Sequence, residues 1–233
     1  MDTAVVCSDE SGQLVGGPFW KRSARGRTAY WVVMTADEQF SIVAANQVAC
    51  DDLRAVFGSR GAAANCQCQR YKLRPKESFN ALPVEERAHR LWEQTNCGDP
   101  DSAETSGLVA YLDDRAVGWC AVEPRPAFGG LVRNSRIPWL GRDEEKSDDS
   151  VWAVTCLFAR AGFRRRGISR AMARAAVDFA RDRGARAIEA YPLTHSNVIA
   201  EELHVGTCST YAAAGFIEVA RPTPRRAVMR IDF

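Results

Sequence analysis

The sequence has no long apolar segment and no strong excess of charge of either sign. No apolar run approaches the ~18 residues that a membrane-spanning helix needs, and residues 1–17 do not show the basic-then-apolar layout of a signal peptide. Lysine and arginine together number 31 against 29 aspartates and glutamates, a net charge of +2, which does not favour a nucleic-acid partner. These absences predict a globular protein of the cytoplasm that binds neither membrane nor nucleic acid.

The eight cysteines form no recognisable metal pattern. Cys66-Gln67-Cys68 has one intervening residue, whereas zinc sites use two to four, and no second pair of Cys or His completes a set. Scattered cysteines in a chain without a secretion signal predict reduced thiols. We therefore expect no metal, and the role of Cys66 and Cys68 stays open.

What the sequence does contain is a strand, a basic glycine turn and a helix in direct succession. The apolar run Val151–Phe158 is followed by the turn 164–169, of sequence RRRGIS, which opens into a helix that ends at Gly184. One helix face is apolar: Ile168, Met172, Ala175, Ala176 and Phe179. Unpaired N–H groups at such a helix start suit a phosphate or pyrophosphate. The turn matches neither the Walker loop nor the three-glycine dinucleotide fingerprint.

The turn resembles the acetyl-CoA loop of the GNAT superfamily of N-acetyltransferases, whose pattern is [RQ]-x-x-G-x-[GA]. Arg164 and Gly167 occupy the first and fourth positions, and Ser169 replaces the last small residue. A second signature, Tyr211 followed by Gly215 and Phe216, resembles the Y-x-x-x-G-F ending of the helix near the CoA thiol. Between them the run 187–191 predicts a strand. The resemblance covers about eighty residues.

The expected fold is a single α/β domain of the α+β type, with a twisted, mainly antiparallel mixed sheet and helices on both faces. A central strand pair, 151–159 and 187–191, should run parallel and splay apart. The predicted domain spans 39–233, with the acyl-CoA half at 151–233, and residues 1–38 are either a flexible arm or an over-long start. Further predicted elements are strands at 41–45, 108–112, 116–122, 216–221 and 227–231, helices at 47–57 and 83–95, a loop at 58–69 and a surface insertion at 124–149.

The resemblance implies an acetyl-CoA-dependent N-acetyltransferase that moves an acetyl group to a primary amine by direct attack in a ternary complex. The alternative is a non-catalytic acyl-CoA binder or sensor of the same fold. The acceptor is expected to be a small-molecule or peptide amine, and a homodimer is left open. The implied CoA-binding residues are Leu157, Phe158 and Ala159 on the splayed strand and Arg164, Arg165, Arg166, Gly167, Ile168 and Ser169 in the turn.

Tyr211 is the predicted general acid, because a phenol of pKa ~10 can protonate a departing thiolate whose conjugate acid has a pKa of ~8.5. The competing interpretation is a core tyrosine. The general base has four candidates, Glu123, Asp148, Asp149 and His204, and none is assigned. His204 stands seven residues before Tyr211, where many relatives carry Asn. Cys156 on the splayed strand could form an acetyl-cysteine, although a buried thiol is the favoured interpretation.

Overall fold

The structure, a computed structural model, describes residues 19–25, 28–34, 39–195, 198 and 202–233. Its strands are β1 Phe19–Arg25, β2 Thr28–Met34, β3 Gln39–Ala44, β4 Leu108–Leu112, β5 Arg115–Pro124, β6 Val151–Ala159, β7 Ala187–Ala190, β8 Ile217–Thr223 and β9 Arg226–Asp232. Its α-helices are α1 Cys50–Phe57, α2 Gly61–Cys66, α3 Val84–Thr95, α4 Gly129–Asn134, α5 Ile168–Asp182 and α6 Cys208–Ala212.

The nine strands found among the described residues belong to one sheet in the order β1-β2-β3-β4-β5-β6-β7-β9-β8. Neighbouring strands are antiparallel except β6 and β7, which run parallel. This pairing covers only Val151–Val154 of β6 against Ala187–Ala190, so the second half of β6 separates from β7. The predicted mainly antiparallel sheet with one splayed parallel pair is therefore confirmed.

Helices cover both faces of the sheet and bury a separate apolar core on each. On one face α5 packs against β5 and β6 through its predicted apolar stripe, in which Met172 and Phe179 are fully buried. On the other face α1 packs on β5 around Trp119. Gly118 of β5 lets α5 approach closely, because a Cβ there would lie 2.9 Å from side-chain carbons of Ile168 and Met172. The start of α5 is thereby fixed against the sheet.

Two stretches have regular structure that the sequence did not predict. Within the predicted loop 58–69, residues Gly61–Cys66 form the short helix α2. Within residues 1–38, β1 and β2 pair with each other and β2 pairs with β3, so part of this stretch extends the sheet. Residues 1–18, 26–27 and 35–38 lie outside the described residues, and the division of the chain at residue 38 stays a prediction.

The segment 124–149 is not the surface insertion that its composition predicted. The side chains of Arg125 and Phe128 are fully buried, and Arg125 donates from Nη1 to Oε2 of Glu189 on β7 at 3.3 Å. Arg142 also bonds Glu189, as does Arg230 of β9. This buried group of charges joins the segment to the middle of the sheet, which a charged composition alone does not reveal.

The prediction that all eight cysteines are reduced is wrong at two positions. Cys50 at the start of α1 and Cys97 after the end of α3 form a disulfide, with their Cα atoms 5.1 Å apart. Their separation of 47 positions conceals this proximity in the sequence. Among the residues that the structure describes, no helix is long and apolar enough to cross a membrane.

Candidate active site

The turn before α5 has the backbone that an anion site at a helix start requires. Arg165 and Gly167 both have positive φ, 64° and 82°, and Gly167 is the N-cap residue of α5. The first helical bond runs from the N–H of Ala171 to the carbonyl of Gly167 at 3.0 Å. The N–H groups of Ile168, Ser169 and Arg170 precede that bond and remain available to a ligand. A Cβ on Gly167 would meet no atom within 4 Å, so this approach is open.

The splayed half of β6 provides a second row of backbone groups beside the turn. On one side Leu157, Phe158 and Ala159 pair with Cys120, Trp119 and Gly118 of β5. Beyond Val154 no described strand pairs with β6 on its β7 side. A ligand that carries amides, such as the pantetheine arm of CoA, can therefore extend the ladder there.

The turn and the splayed strand open into one cleft of about 1170 Å³. Its other wall is formed by the end of α1, by α2 with the residues after it, and by Phe79; α1 and α2 pack against the core that lies across the sheet from α5. Residues between 203 and 210 complete the lining. All the predicted CoA-binding residues except Arg166 line this cleft. Six arginines also line it, and none of the described lining residues is an aspartate or a glutamate. The cleft is therefore a site for anions.

Tyr211 lies behind the wall of the cleft rather than on its surface. Its side chain is fully buried, and its hydroxyl has no hydrogen-bond partner among the described residues. The ring lies against Gly206, which lines the cleft: a Cβ on Gly206 would be 2.8 Å from Cε2 and 3.3 Å from the hydroxyl. Burial raises the pKa of Tyr211 well above its usual value, so the phenol stays protonated. The role of Tyr211 as general acid stays a prediction.

Only one of the four candidate bases lines the cleft. Glu123 forms an ion pair with Lys72 and accepts a hydrogen bond from Ser106. Asp148 bonds Ser150 and Arg186, which lower its pKa to about 2 and leave it a weak base. Neither Asp148 nor Asp149 reaches the cleft, whereas His204 lines it.

Three cysteines line the cleft, and the structure favours neutral thiols at two of them. Burial raises the pKa of Cys66 and, with the neighbouring Cys156 thiol, raises that of Cys68 much further. The Sγ of Cys68 accepts a hydrogen bond from Nε1 of Trp119 at 2.9 Å. Within the described part of the chain, no group of three or more Cys, His, Asp or Glu side chains could hold a metal ion.

Comparison with known proteins agrees with this geometry. Residues 69–206 match the model of the acetyltransferase (GNAT) family, more than half of the chain. The chain belongs to the GNAT family. The matched residues include the glycine turn and all of β6. Tyr211 and the Gly215-Phe216 signature lie beyond them. A search of curated proteins finds no match.

Solved GNAT structures resemble the chain at low sequence identity. The GNAT domain of S. lividans PAT is 13% identical, with 84% of this chain and 91% of that one covered and a TM-score of 0.49. The ribosomal-protein-alanine N-acetyltransferase of Brucella melitensis is 16% identical, with 80% and 98% covered and a TM-score of 0.47. A Bacillus subtilis acetyltransferase in complex with CoA is 14% identical, with 55% and 78% covered and a TM-score of 0.35.

Proposed function

We propose that this GNAT protein transfers an acetyl group from acetyl-CoA to a primary amine by direct attack in a ternary complex. The observation that carries the proposal is the single cleft that joins the glycine turn, the splayed edge of β6 and the other wall around α2. A cleft with two distinct walls can hold both substrates at once, so no acetylated protein intermediate is required. A small-molecule or peptide acceptor, a cytoplasmic location and a homodimer stay predictions.

In this proposal the CoA pyrophosphate lies at the N-terminus of α5, bound by N–H groups of the turn and by Arg164 and Arg165. The pantetheine amides pair with β6 at Leu157–Ala159, which brings the thioester to the splay. There a backbone N–H stabilises the carbonyl oxygen as negative charge develops on it. These contacts bind and orient the thioester without any metal ion.

The reaction then needs two proton transfers. The amine nitrogen attacks the thioester carbon and loses a proton, for which we propose His204 as the acceptor because it lines the cleft. The carbon–sulfur bond breaks, and the thiolate takes a proton from Tyr211. The Tyr211 ring lies against Gly206, which lines the cleft, and the proposal requires that movement of this segment exposes the hydroxyl to the thiolate. The products are an acetylated amine and CoA.

The second candidate function is an acyl-CoA binder or sensor without catalysis. It is favoured by the absence of any carboxylate on β6 and among the described lining residues of the cleft. Both functions need the same CoA site, so binding of acetyl-CoA does not separate them, whereas turnover does.

The test is a calorimetric titration with acetyl-CoA followed by a thiol-release assay over a panel of primary amines, with the acetylated product identified by mass spectrometry. An enzyme releases CoA only when an acceptor amine is present. Tight binding without acetylation of any amine supports the sensor instead. In an active enzyme, His204→Gln should lower kcat ~10²-fold or more and leave the affinity for acetyl-CoA unchanged.

The location of the CoA site is tested separately by Gly167→Val. A side chain there would project into the open approach to the helix start, and the positive φ of 82° adds backbone strain. We expect acetyl-CoA binding to be abolished. Gly184→Val is the matched control, since Gly184 also has positive φ, 78°, with nothing within 4 Å, but lies at the other end of α5. Equal affinity in the two folded variants would contradict the site.

A further inference from the structure

Five of the six arginines of the cleft form two groups, one at the start of α5 and one beside α2, which packs on the other face of the sheet. Arg164, Arg165 and Arg170 surround the start of α5, where the proposed function places the CoA pyrophosphate. Arg60 and Arg70 line the other wall, Arg60 directly before α2 and Arg70 shortly after it. Arg60 and Arg70 therefore lie apart from the proposed pyrophosphate site, in the part of the cleft that remains for the acceptor.

Among the described residues, no carboxylate neutralises the positive charges of Arg60 and Arg70. Both side chains are exposed, and neither forms an ion pair with a described carboxylate. The nearest acidic position in the following loop, Glu77, is already bonded to both terminal nitrogens of Arg90, at 2.8 and 2.9 Å. Two cations thus face a cleft that contains no described carboxylate.

Arg70 is also held in a defined position. Its guanidinium lies over the ring of Phe79, 4.4 Å from the centroid, and Phe79 itself lines the cleft. An arginine stacked on an aromatic ring keeps its N–H groups directed along its own plane, and this geometry suits two-point binding of a carboxylate or phosphate. Arg70 is therefore placed to bind an anionic group at the acceptor wall, the wall of the cleft formed by the end of α1, by α2 with the residues after it, and by Phe79.

We infer that the acceptor is an amine bearing an anionic group, a carboxylate or a phosphate, which Arg60 and Arg70 bind across the cleft from CoA. The inference rests on the proposed function. A polyamine or an aminoglycoside would bring several positive charges into a cleft lined by six arginines, with no carboxylate among the lining residues that the structure describes, and repulsion between like charges opposes binding. An anionic acceptor adds attraction at the same positions and orients the amine toward the thioester.

The experiment compares acceptors that match in size and differ in charge: glutamate against glutamine, and aminoethyl phosphate against ethanolamine, with spermidine as the polycation. Their binding to the CoA-saturated protein is measured by calorimetry, and kcat/KM is measured with acetyl-CoA. We expect the anionic member of at least one pair to bind and react about tenfold better, with a preference that weakens as salt is added.

Variants of the acceptor wall then test whether Arg60 and Arg70 cause the preference for anionic acceptors. Arg60→Gln and Arg70→Gln should each raise KM for the anionic acceptor about tenfold without changing the affinity for acetyl-CoA, and Arg70→Lys should restore part of the loss. Arg74→Gln is the matched control, because it removes a positive charge from the same segment at an exposed position that does not line the cleft. It should leave KM unchanged.

The outcomes separate the inference from the proposed function. No turnover with any acceptor contradicts the proposed enzyme, while the binding preference in the CoA complex still decides the inference. Equal binding of charged and neutral partners, or a best acceptor that is spermidine, overturns the inference and leaves the enzyme intact. A loss of acetyl-CoA affinity in the Arg60 and Arg70 variants also overturns it, because these residues would then bind CoA phosphates.

Discussion

The Tyr211 hydroxyl is a polar group in an apolar environment without a described partner. Its ring packs edge-on against Phe216, with centroids 5.3 Å apart, and the pKa is raised by burial. A buried hydroxyl left without a hydrogen bond costs about 1–3 kcal/mol, whereas phenylalanine would fill the same space without this cost. A tyrosine at this position therefore reduces stability, as expected where a hydroxyl serves the reaction rather than the fold.

Tyr211→Phe separates these two roles. Without the buried hydroxyl, the melting temperature should stay the same or rise. Turnover should fall ~10²–10⁴-fold, and the loss should appear in kcat rather than in KM, since the proton moves only as the intermediate collapses. Thermal unfolding and steady-state kinetics measure both. Wild-type kcat in this variant would show that solvent protonates the thiolate and that Tyr211 is a core residue.

Gly206 controls the position of Tyr211. In Gly206→Ala the new Cβ would be 2.8 Å from the ring, at a backbone φ of +73°, so the ring must move. We expect both a lower melting temperature and lower kcat. Gly184→Ala has a similar φ, +78°, with open space around it, and so shows the backbone effect alone. If the two variants lose the same stability and both keep full activity, the contact between Gly206 and Tyr211 has no functional role.

At the scale of elements, the sequence predicted those helices, strands and turns whose pattern is contained in a short stretch of residues. The 3.6-residue period of α5, the turn Asp113-Asp114 between β4 and β5 and the apolar run of β6 each appear in a short stretch of sequence. The helix α2 was missed because six small or polar residues carry no amphipathic period. The strands β1 and β2 were missed because their pairing with each other and with β3 is not visible as a period.

The acceptor wall was the least predictable part of the site, because its residues are far apart in the sequence. The turn of α5 is contiguous in sequence, so its residues could be named from it, whereas the wall joins α2, Arg70 and Phe79 with His204, more than a hundred residues away. No periodicity connects these residues. Their proximity follows from packing across the sheet: α1 contacts β5, and the ring of Phe57 lies 5.5 Å from that of Phe158 on β6.

The loop that carries Arg70 and Phe79 is attached to α3 by an ion pair. Glu77 bonds Arg90, whose side chain is only 7% exposed, and the hydrogen bonds from Arg90 lower the pKa of Glu77 from 4.5 to about 2. Because the folded pKa lies below the unfolded one, the pair stabilises the fold above about pH 4.5, and this contribution is lost as the pH falls toward 2.

Glu77→Gln should therefore lower the melting temperature by a few degrees at pH 7, roughly the effect of 1–2 kcal/mol, and the difference from wild type should shrink between pH 4.5 and 2. Thermal unfolding at a series of pH values measures it. Glu93→Gln, which alters an exposed carboxylate on α3, is the control and should change little. A difference that does not vary with pH over this range would contradict the role of the ion pair.

At the scale of the whole molecule, contacts between residues far apart in the sequence attach the segments outside the predicted CoA half to the rest of the fold. The buried Glu189 binds three arginines from different parts of the chain, Arg125, Arg142 and Arg230, and accepts a hydrogen bond from Tyr191 at 2.9 Å. A lone glutamate in an apolar strand gives no sign of such partners. Removing Glu189 would leave buried arginines without a counter-charge, so this cluster fixes the segment after β5 to the sheet.

The disulfide between Cys50 and Cys97 is the second long-range link, and it joins the start of α1 to the end of α3. Closing a loop of 47 residues should stabilise the fold by ~3–4 kcal/mol, chiefly by restricting the unfolded chain.

Because the end of α1 lines the cleft, Cys50→Ser should lower the melting temperature by several degrees and raise KM for the acceptor more than KM for acetyl-CoA. Cys208→Ser, which alters a free and half-buried thiol, is the control. Peptide mapping after alkylation in denaturant without reductant gives the decisive measurement: all cysteines except Cys50 and Cys97 should be modified. If these two are alkylated as well, and a reductant leaves the melting temperature unchanged, the reduced thiols predicted from the sequence are correct.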